Sequence, residues 1–398
     1  MSPLTLLRDG QFLRIWVTGG FIGTMRWLEI LVIAVYALEV TGSPLMVAVM
    51  MLARSLPMFL FGSITGAIAE RFNRRHMMII ALIGACAVSA ALAVLSLLGL
   101  IEIWHVVLGA FLSGIVWTQE FPVRRTMLGE IAGTSGVGAA MSLDSATTNG
   151  TRMLGPALGG LLYESIGLSG AYLLGTALYA LSVLLVLSLK YASSAAPARE
   201  DGLFSSIAVG LAYVRGNRAM VGMLMVTVIM NLWGFPFVAM VPVIGRDVLG
   251  LSAFPIGVLM SAEGAGAFVG ALIIAALVRP AGFNRIYLYG STLMILAVIL
   301  FSFSSWFTVS LALLFIVGLG AAGFSAMQTA IMFTLAPPEM RGRVMGVLSV
   351  CIGASPLGML HIGLLALWMS AQNAVLLVAI EGVVALAVTA YYWQEIRR

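Results

Sequence analysis

Long runs of apolar residues, separated by short polar connections, recur from one end of this 398-residue chain to the other. A helix needs about 20 predominantly apolar residues to cross the hydrocarbon core of a bilayer. The runs are continuous rather than alternating, which predicts helices and not the strands of a membrane barrel. We predict twelve spans, numbered 1 to 12 in chain order, at about 12–38, 45–69, 77–99, 104–127, 138–163, 169–190, 219–244, 253–277, 285–304, 306–332, 344–369 and 372–393.

Composition supports a membrane protein. Hydrophobic residues make up 61% of the chain and charged residues 9%, and the mean hydropathy is +1.07. Soluble domains carry about 25% charged residues, so a soluble fold could not bury this much apolar surface. Cys86 and Cys351 lie inside apolar runs, and the histidines show no ligand spacing. We therefore expect no disulfide framework, no metal site and no cofactor.

Basic residues are concentrated in the connections on one side of the predicted spans. The net charge of +5 is therefore explained by membrane topology, and we expect no nucleic-acid partner. Because cytoplasmic loops are enriched in Lys and Arg, both termini are expected in the cytoplasm and the chain in a bacterial inner membrane. The basic positions on that side are Arg8, Arg14, Arg71, Arg74, Arg75, Arg124, Arg125, Lys190, Arg199, Arg215, Arg218, Arg279, Arg285, Arg341, Arg343, Arg397 and Arg398, against Arg246 alone in a connection on the other side.

The two halves of the chain are related in sequence. The stretch SPLMVAVMMLARS (43–55) aligns without gaps on SAFPIGVLMSAEG (252–264), and FNR recurs at 72–74 and 283–285. These matches fall at the same span and the same following loop of each half. We predict an all-α fold of two pseudo-symmetric six-helix bundles, which places a substrate site at the midplane between them. The expected limits are 1–190 and 219–398 for the bundles, and 191–218 for a cytoplasmic linker carrying a surface helix.

The loop after span 2 reads GAIAERFNRR and resembles the loop signature of the major facilitator superfamily, with a glutamate in place of the usual aspartate. Small residues allow close helix approach. The acid is expected to accept from helix N-termini or from arginines across the bundle, forming a latch that breaks when the halves rock. The alternative is an ordinary basic loop that only sets topology. The expected latch residues are Gly66, Glu70, Arg71, Arg74 and Arg75.

Span 5 carries NGTRMLGPALGG, which resembles the antiporter motif of proton-driven exporters in the same superfamily. Glycines at 155, 159 and 160 are expected to pack tightly on a neighbouring span, and Pro156 to bend the helix. The alternative is a packing face without a role in transport. The motif residues are Gly155, Pro156, Gly159 and Gly160.

Three further stretches, LEVTGSPLMVAVMMLARSLPMFLFG, FPVRRTMLGEI and APPEMRGRVMGV, resemble the drug:proton antiporter-3 branch of the superfamily. That branch includes macrolide exporters and enterobactin-type siderophore exporters, and the resemblance covers nearly the whole chain. Two features depart from it. Span 4 lacks the superfamily's arginine in HVVLGAFLSGIVW, and Met25–Arg26 replaces the branch's usual Gly-Asp in span 1.

Charged residues inside the spans are the candidates for proton coupling. A charge at a helix centre costs about 2.5–3.5 kcal/mol, so each needs a partner or a purpose. Arg26 with Glu29, and Glu120 with Arg124, have spacings that allow pairing within one helix. Asp144 has no base on its own span nearer than Arg152, about 12 Å along the axis. It is therefore expected to titrate most freely, unless Arg54 or Arg26 reaches it from a neighbouring span. The candidates, in order, are Asp144, Glu263, Glu29 and Glu120; the alternative is that these charges form structural pairs.

Span 7 contains NLWGFPF, in which a glycine and a proline interrupt the helix. Interrupted helices mark substrate sites in transporters. The predicted cavity residues are Arg26, Arg54, Arg152, Asn231, Trp233 and Phe235, and the three arginines favour a substrate of anionic character. Glu381 in span 12 receives no role.

The sequence thus predicts a secondary transporter that works by alternating access, without enzymatic activity. No phosphate-binding Gly-Lys-Ser/Thr loop is present, so the energy must come from a gradient. Proton-coupled export of amphiphilic small molecules, drugs or siderophores, is the favoured function of a chain expected to work as a monomer in the lipid bilayer. Alternatives are an importer of a siderophore or other organic anion and a lipid or lysolipid flippase. A membrane sensor or enzyme would need a catalytic cluster or a soluble domain, and neither is visible.

Overall fold

The computed structural model describes residues 3–191, 203–277, 282–337 and 339–397, without the side chains of 3–4, 63–71 and 203–207. Its described residues form helices, turns and loops, with no strand among them. Ten helices in these ranges are long and apolar enough to cross a membrane. They are Gly10–Thr41, Pro44–Gly62 (within Pro44–Arg71), Arg74–Leu97, Ile103–Leu187, Arg218–Asp247, Ala253–Leu277, Phe283–Ser302, Phe307–Leu335, Arg341–Trp368 and Ala371–Tyr392.

The 85-residue helix Ile103–Leu187 contains three spans rather than one. Gly133 and Gly167 have φ of 66° and 75°, with ψ near 180°, a conformation that is essentially restricted to glycine. Gly133 and Gly167 divide the helix into three segments. Arg124, Gly155 and Gly175 belong to these segments in turn, and all three lie against span 1. The chain therefore reverses direction at both glycines. Spans 4, 5 and 6 are therefore 103–132, 134–166 and 168–187. With the nine other long helices of the described ranges, they make the twelve spans predicted from the sequence.

Polar caps begin several of the spans where the apolar runs begin. The side chain of Asp9 accepts from the backbone N–H of Gln11 at 2.8 Å ahead of span 1, and Asn73 accepts from Arg75 at 3.0 Å ahead of span 3. Asn217 caps span 7 in the same way. Such caps satisfy backbone donors that the first helical turn leaves unpaired.

Span 7 is irregular at its centre. A π-helical turn, Met230–Gly234, is followed by a 3-10 turn, Pro236–Ala239, before the helix resumes at Val241–Asp247. Gly234 and Pro236 cause the break, since proline offers no backbone N–H and glycine tolerates the distortion. The interruption predicted in NLWGFPF is confirmed.

A helix at Leu203–Arg215 lies between spans 6 and 7, and a 3-10 turn, Gln394–Arg397, follows span 12. The limits of the two bundles and of the linker stay predictions.

The halves, spans 1–6 and 7–12, contact each other at the midplane and at the side opposite the chain termini. Gly363 of span 11 packs on Ala48 of span 2. Arg246 donates a hydrogen bond to the carbonyl oxygen of Leu38 at 2.7 Å, and the N–H of Phe254 donates to Glu164 at 2.9 Å. The structure is therefore closed at this side, which we call the far side.

A vestibule of about 510 Å³ lies between the halves on the side where the termini lie. Its walls come from spans 2 and 4 of the first half and spans 10 and 11 of the second, including Phe59, Arg125, Phe333 and Met345. The molecule is thus open towards the termini and closed at the far side.

Candidate substrate cavity between the halves

A cavity of about 240 Å³ lies at the junction of the two halves. Both halves line it, through spans 1, 2, 4 and 5 and spans 7, 8, 10 and 11. Its wall is mostly apolar and aromatic, with a few charged groups, as in most small-molecule sites. The lining residues are Arg26, Trp27, Ile30, Met51, Arg54, Ser55, Gly114, Trp117, Arg152, Pro156, Phe235, Phe237, Val238, Val241, Met260, Glu263, Leu314 and Met359.

Four of the six predicted cavity residues line this space: Arg26, Arg54, Arg152 and Phe235. Asn231 and Trp233 do not, so their prediction was wrong. The Asn231 amide donates to the carbonyl oxygen of Thr227 in its own helix, at 2.9 Å, and the Trp233 indole donates to Glu381 at 2.9 Å. Phe235 faces the cavity, whereas Trp233, two residues earlier in the irregular part of span 7, points towards span 12.

Trp117 lines both the cavity and the vestibule but was not among the residues predicted from the sequence. It precedes Glu120 by about one helical turn, so it shares a face with a predicted functional residue. That spacing was a usable signal.

Two of the cavity arginines carry a carboxylate partner. Arg54 of span 2 pairs with Glu29 of span 1, whose other oxygen accepts from Ser113 at 3.0 Å. Arg152 of span 5 pairs with Glu263 of span 8, its Nε donating to Oε2 at 2.9 Å, and a second N–H donates to Oε1. The second pair joins the two halves. The expected pair of Arg26 with Glu29 was wrong, because span 2 offers Glu29 a closer base.

Arg26 is held by aromatic rings. Its guanidinium carbon lies 3.8 Å from the centroid of the Trp117 ring and 5.1 Å from that of Trp27. Cation–π attraction stabilises an arginine in this position. Within the described part of the chain, no ion pair or hydrogen bond satisfies this guanidinium.

A second cluster of charges lies between the cavity and the vestibule. Arg124 pairs with Glu120, as the spacing predicted, and also with Asp144; Arg125 donates to Asp144 at 2.7 Å. Asp144 and Glu120 are 1% exposed, and a narrow gap links Arg26 to this cluster. The expectation that Asp144 has no base nearby was wrong, because its partners come from span 4, which counting along its own span could not show.

The described latch residues bind within the first half. Arg74 pairs with Glu130 at 2.6 Å, and Arg75 donates to the carbonyl oxygens of Val186 and Leu187 at 3.2 and 2.6 Å. The side chains of Gly66, Glu70 and Arg71 lie outside the described residues. The latch across the bundle stays a prediction.

The glycines of span 5 hold it against spans 1 and 8. A Cβ at Gly155 would lie 2.6 Å from the Cβ of Trp27, and one at Gly159 would lie 2.8 Å from the carbonyl oxygen of Leu28, so neither space can hold a side chain. Gly160 faces the other half, where a Cβ would lie 2.4 Å from the carbonyl oxygen of Ala253. Pro156 lies beside the cavity, and the next N–H, of Ala157, donates to Ser261 of span 8 at 3.0 Å. The predicted tight packing is confirmed.

Gly160→Ala should open the far side of the molecule. The added methyl meets backbone of span 8 rather than the end of a flexible side chain, and overpacking of this kind costs about 1–3 kcal/mol. That is enough to shift the balance between the closed and the open far side about fivefold or more. In a cysteine-free background, a single cysteine at Ile30 in the cavity should then react faster with a membrane-impermeant maleimide added from the far side. Gly150→Ala is the matched control on the same span, since a Cβ there meets nothing within 4 Å. Equal labelling rates in the two variants would contradict the prediction.

Outside the cavity, His361 and Glu381 lie 2.8 Å apart in a crevice of about 440 Å³ that also contains Trp233. Both side chains are partly exposed, at 41% and 35%. The structure thus gives Glu381, which the sequence left without a role, two polar partners in the second half.

The sequence matches the family profile described as "Transmembrane secretion effector" over residues 1–397. The chain is 25% identical to the multidrug efflux pump Tap of Mycolicibacterium fortuitum, with 91% of each chain covered. It is 22% identical to the staphyloferrin A transporter of Staphylococcus aureus, with 79% of each covered, and 23% identical to macrolide efflux protein A of Streptococcus pyogenes, with 83% of each covered.

Solved transporter structures share the fold. The POT family transporter PepTSo matches with a TM-score of 0.80 at 13% identity, covering 97% of this chain and 98% of that one. The nucleoside transporter NupG matches with a TM-score of 0.77 at 12% identity, covering 96% and 98%.

Proposed function

This chain belongs to the transmembrane secretion effector family of the major facilitator superfamily, and from that membership we propose that it is a proton-coupled exporter of amphiphilic small molecules. The observation that carries the proposal is the cavity at the junction of the halves, closed at the far side and open towards the termini. Rocking the halves about this site would expose it to each side in turn, which is alternating access.

The charges of the cavity support coupling to protons. Glu263 lies in the cavity wall and binds Arg152 of the other half, so its protonation replaces a charged contact between the halves by a weaker, neutral one. Glu29 also binds a cavity arginine, but both partners belong to the first half. Glu120 and Asp144 share Arg124 inside the first half. Among the four candidates we therefore place Glu263 first as the proton carrier, ahead of Asp144.

The charges of the loops support an orientation with both termini in the cytoplasm. Lys and Arg are concentrated on the side of the termini, and such loops stay in the cytoplasm. The vestibule then opens to the cytoplasm in this conformation, as an exporter needs in order to load its substrate. We further propose that the chain works as a monomer in a bacterial inner membrane, with both bundles supplied by the one chain.

Transport by purified protein in proteoliposomes tests the function. A macrolide and a staphyloferrin-type siderophore are supplied with and without an imposed pH gradient, and orientation is read from maleimide labelling of a cysteine at exposed Glu339. We expect substrate to accumulate in the compartment equivalent to the far side, and to leak back when an uncoupler collapses the gradient. The proposal would be contradicted if neither compound accumulates beyond its level in protein-free liposomes.

The same assay separates the alternatives. Accumulation on the side of the termini would indicate an importer of siderophores or other organic anions. Movement of a fluorescent lysolipid between leaflets, without transport of the water-soluble compounds, would indicate a flippase.

A further inference from the structure

Three arginines line the cavity, and two of them are paired with carboxylates. The pairs are Arg54 with Glu29 and Arg152 with Glu263. Among the described residues, the cavity wall therefore holds one arginine without a carboxylate partner. Uncompensated charge is costly away from water, and intramembrane charges almost always pair or mark a substrate path.

That arginine is Arg26. The carboxylates of Glu29 and Glu263 are already bound by Arg54 and Arg152, and those of Glu120 and Asp144 by Arg124 and Arg125. Arg26 makes no ion pair with any described residue and instead lies over the indole of Trp117, while lining the cavity. It is the basic group that remains available to a ligand.

Stacking leaves the hydrogen-bonding edge of Arg26 usable. All five N–H donors of a guanidinium lie in its plane, so an indole that covers the face does not occupy them. A carboxylate presents two oxygens in the same planar geometry and accepts two such bonds at once. The aromatic rings of Trp27, Phe235 and Phe237 around the same space offer apolar surface to the rest of a ligand.

We propose that this cavity binds an amphiphilic organic monoanion, with its carboxylate on Arg26 and its flat apolar body among the aromatic side chains. The inference rests on the proposed function, since it names the substrate class of the same site. A cation at this position would meet like charge, and a neutral ligand would leave Arg26 uncompensated. Anionic amphiphiles are therefore preferred to neutral or cationic ones of equal size.

Equilibrium binding to the full chain in lipid nanodiscs tests the preference, with three probes that share one aromatic body. They are 1-naphthaleneacetate, its neutral amide and the corresponding 1-naphthylethylammonium, each titrated by calorimetry with empty nanodiscs subtracted. We expect the carboxylate to bind at least about tenfold more tightly than the other two, since charge-assisted bidentate bonds are the strong ones. Arg26→Gln should remove that preference, and Arg26→Lys should keep part of it.

Arg14→Gln is the matched control, because Arg14 donates to the carbonyl oxygen of Ser188 outside the cavity. It should leave the preference unchanged. If Arg26→Gln does not yield folded protein, the Arg26→Lys variant and the three probes on the unchanged chain still test the preference for the anion. Equal affinity for the three probes, no binding of any, tighter binding of the ammonium, or an undiminished preference in Arg26→Gln would each overturn the inference. Since no gradient or flux is measured, selective binding without transport would contradict only the proposed function.

Discussion

Asp144→Asn should destabilise the first half of the protein rather than selectively uncouple transport from protons. Asp144 is 1% exposed and accepts from both Arg124 and Arg125. Without this carboxylate Arg125 loses its acid and Arg124 keeps only Glu120. Breaking a buried ion pair in this way costs up to about 3–5 kcal/mol. We expect a clear fall in the thermal unfolding midpoint of the purified protein and a lower yield of folded protein in the membrane.

Ser145→Asn is the matched control, since it introduces the same side chain at the next, exposed position of span 5. It should leave the unfolding midpoint within the error of the measurement. The double variant Asp144→Asn with Arg125→Gln should recover part of the loss, because it removes the base that has lost its carboxylate partner. If Asp144→Asn protein is as stable as the unchanged chain but no longer concentrates substrate, Asp144 is the proton carrier and this prediction fails.

Glu263→Gln should abolish concentrative transport while preserving exchange of substrate across the membrane. Glutamine has the shape of the protonated acid but cannot release a proton, so the step driven by the proton gradient is lost. It also replaces the charged contact with Arg152, which joins spans 5 and 8 across the two halves, by a neutral one. Counterflow between equal concentrations needs no net proton movement and should therefore continue. The measurement is accumulation and counterflow in the same proteoliposome preparation.

Glu39→Gln is the control for this prediction. Glu39 is exposed outside the cavity and accepts a hydrogen bond from Tyr163, so the variant loses an equivalent carboxylate without touching the bridge between the halves. It should accumulate substrate as the unchanged chain does. Accumulation by Glu263→Gln to the same level as the control would exclude Glu263 as the carrier, and Glu29 would be the next cavity carboxylate to test.

Together the two variants separate two kinds of buried charge. The cluster around Arg124 lies within one half, so its pairs need not break when the halves move. The pair of Arg152 and Glu263 lies between the halves, so its contact depends on their arrangement. A carboxylate of the second kind is the better place to couple protonation to conformation.

Much of the fold could be predicted from local sequence. Each apolar run long enough to cross a bilayer forms a span, since lipid leaves the backbone no partner but its own helix. Gly133 and Gly167 fall in the short connections between predicted spans 4, 5 and 6, and only glycine readily adopts the backbone found there. The break in span 7 likewise follows from Gly234 and Pro236, whose effects act within one helical turn.

The sequence by itself therefore determined the spans, their interruptions and the type of residue that lines the cavity. Only the tertiary structure decided which charges meet: Glu29 binds Arg54 rather than Arg26, and Asp144 binds Arg124 and Arg125 of span 4. It also decided that Trp233 faces away from the cavity and that Arg26 has no carboxylate partner among the described residues. The physical reason is the separation along the chain over which each kind of interaction acts. Helix formation depends on neighbours within about four residues, whereas the partner of a buried charge depends on which helices pack together.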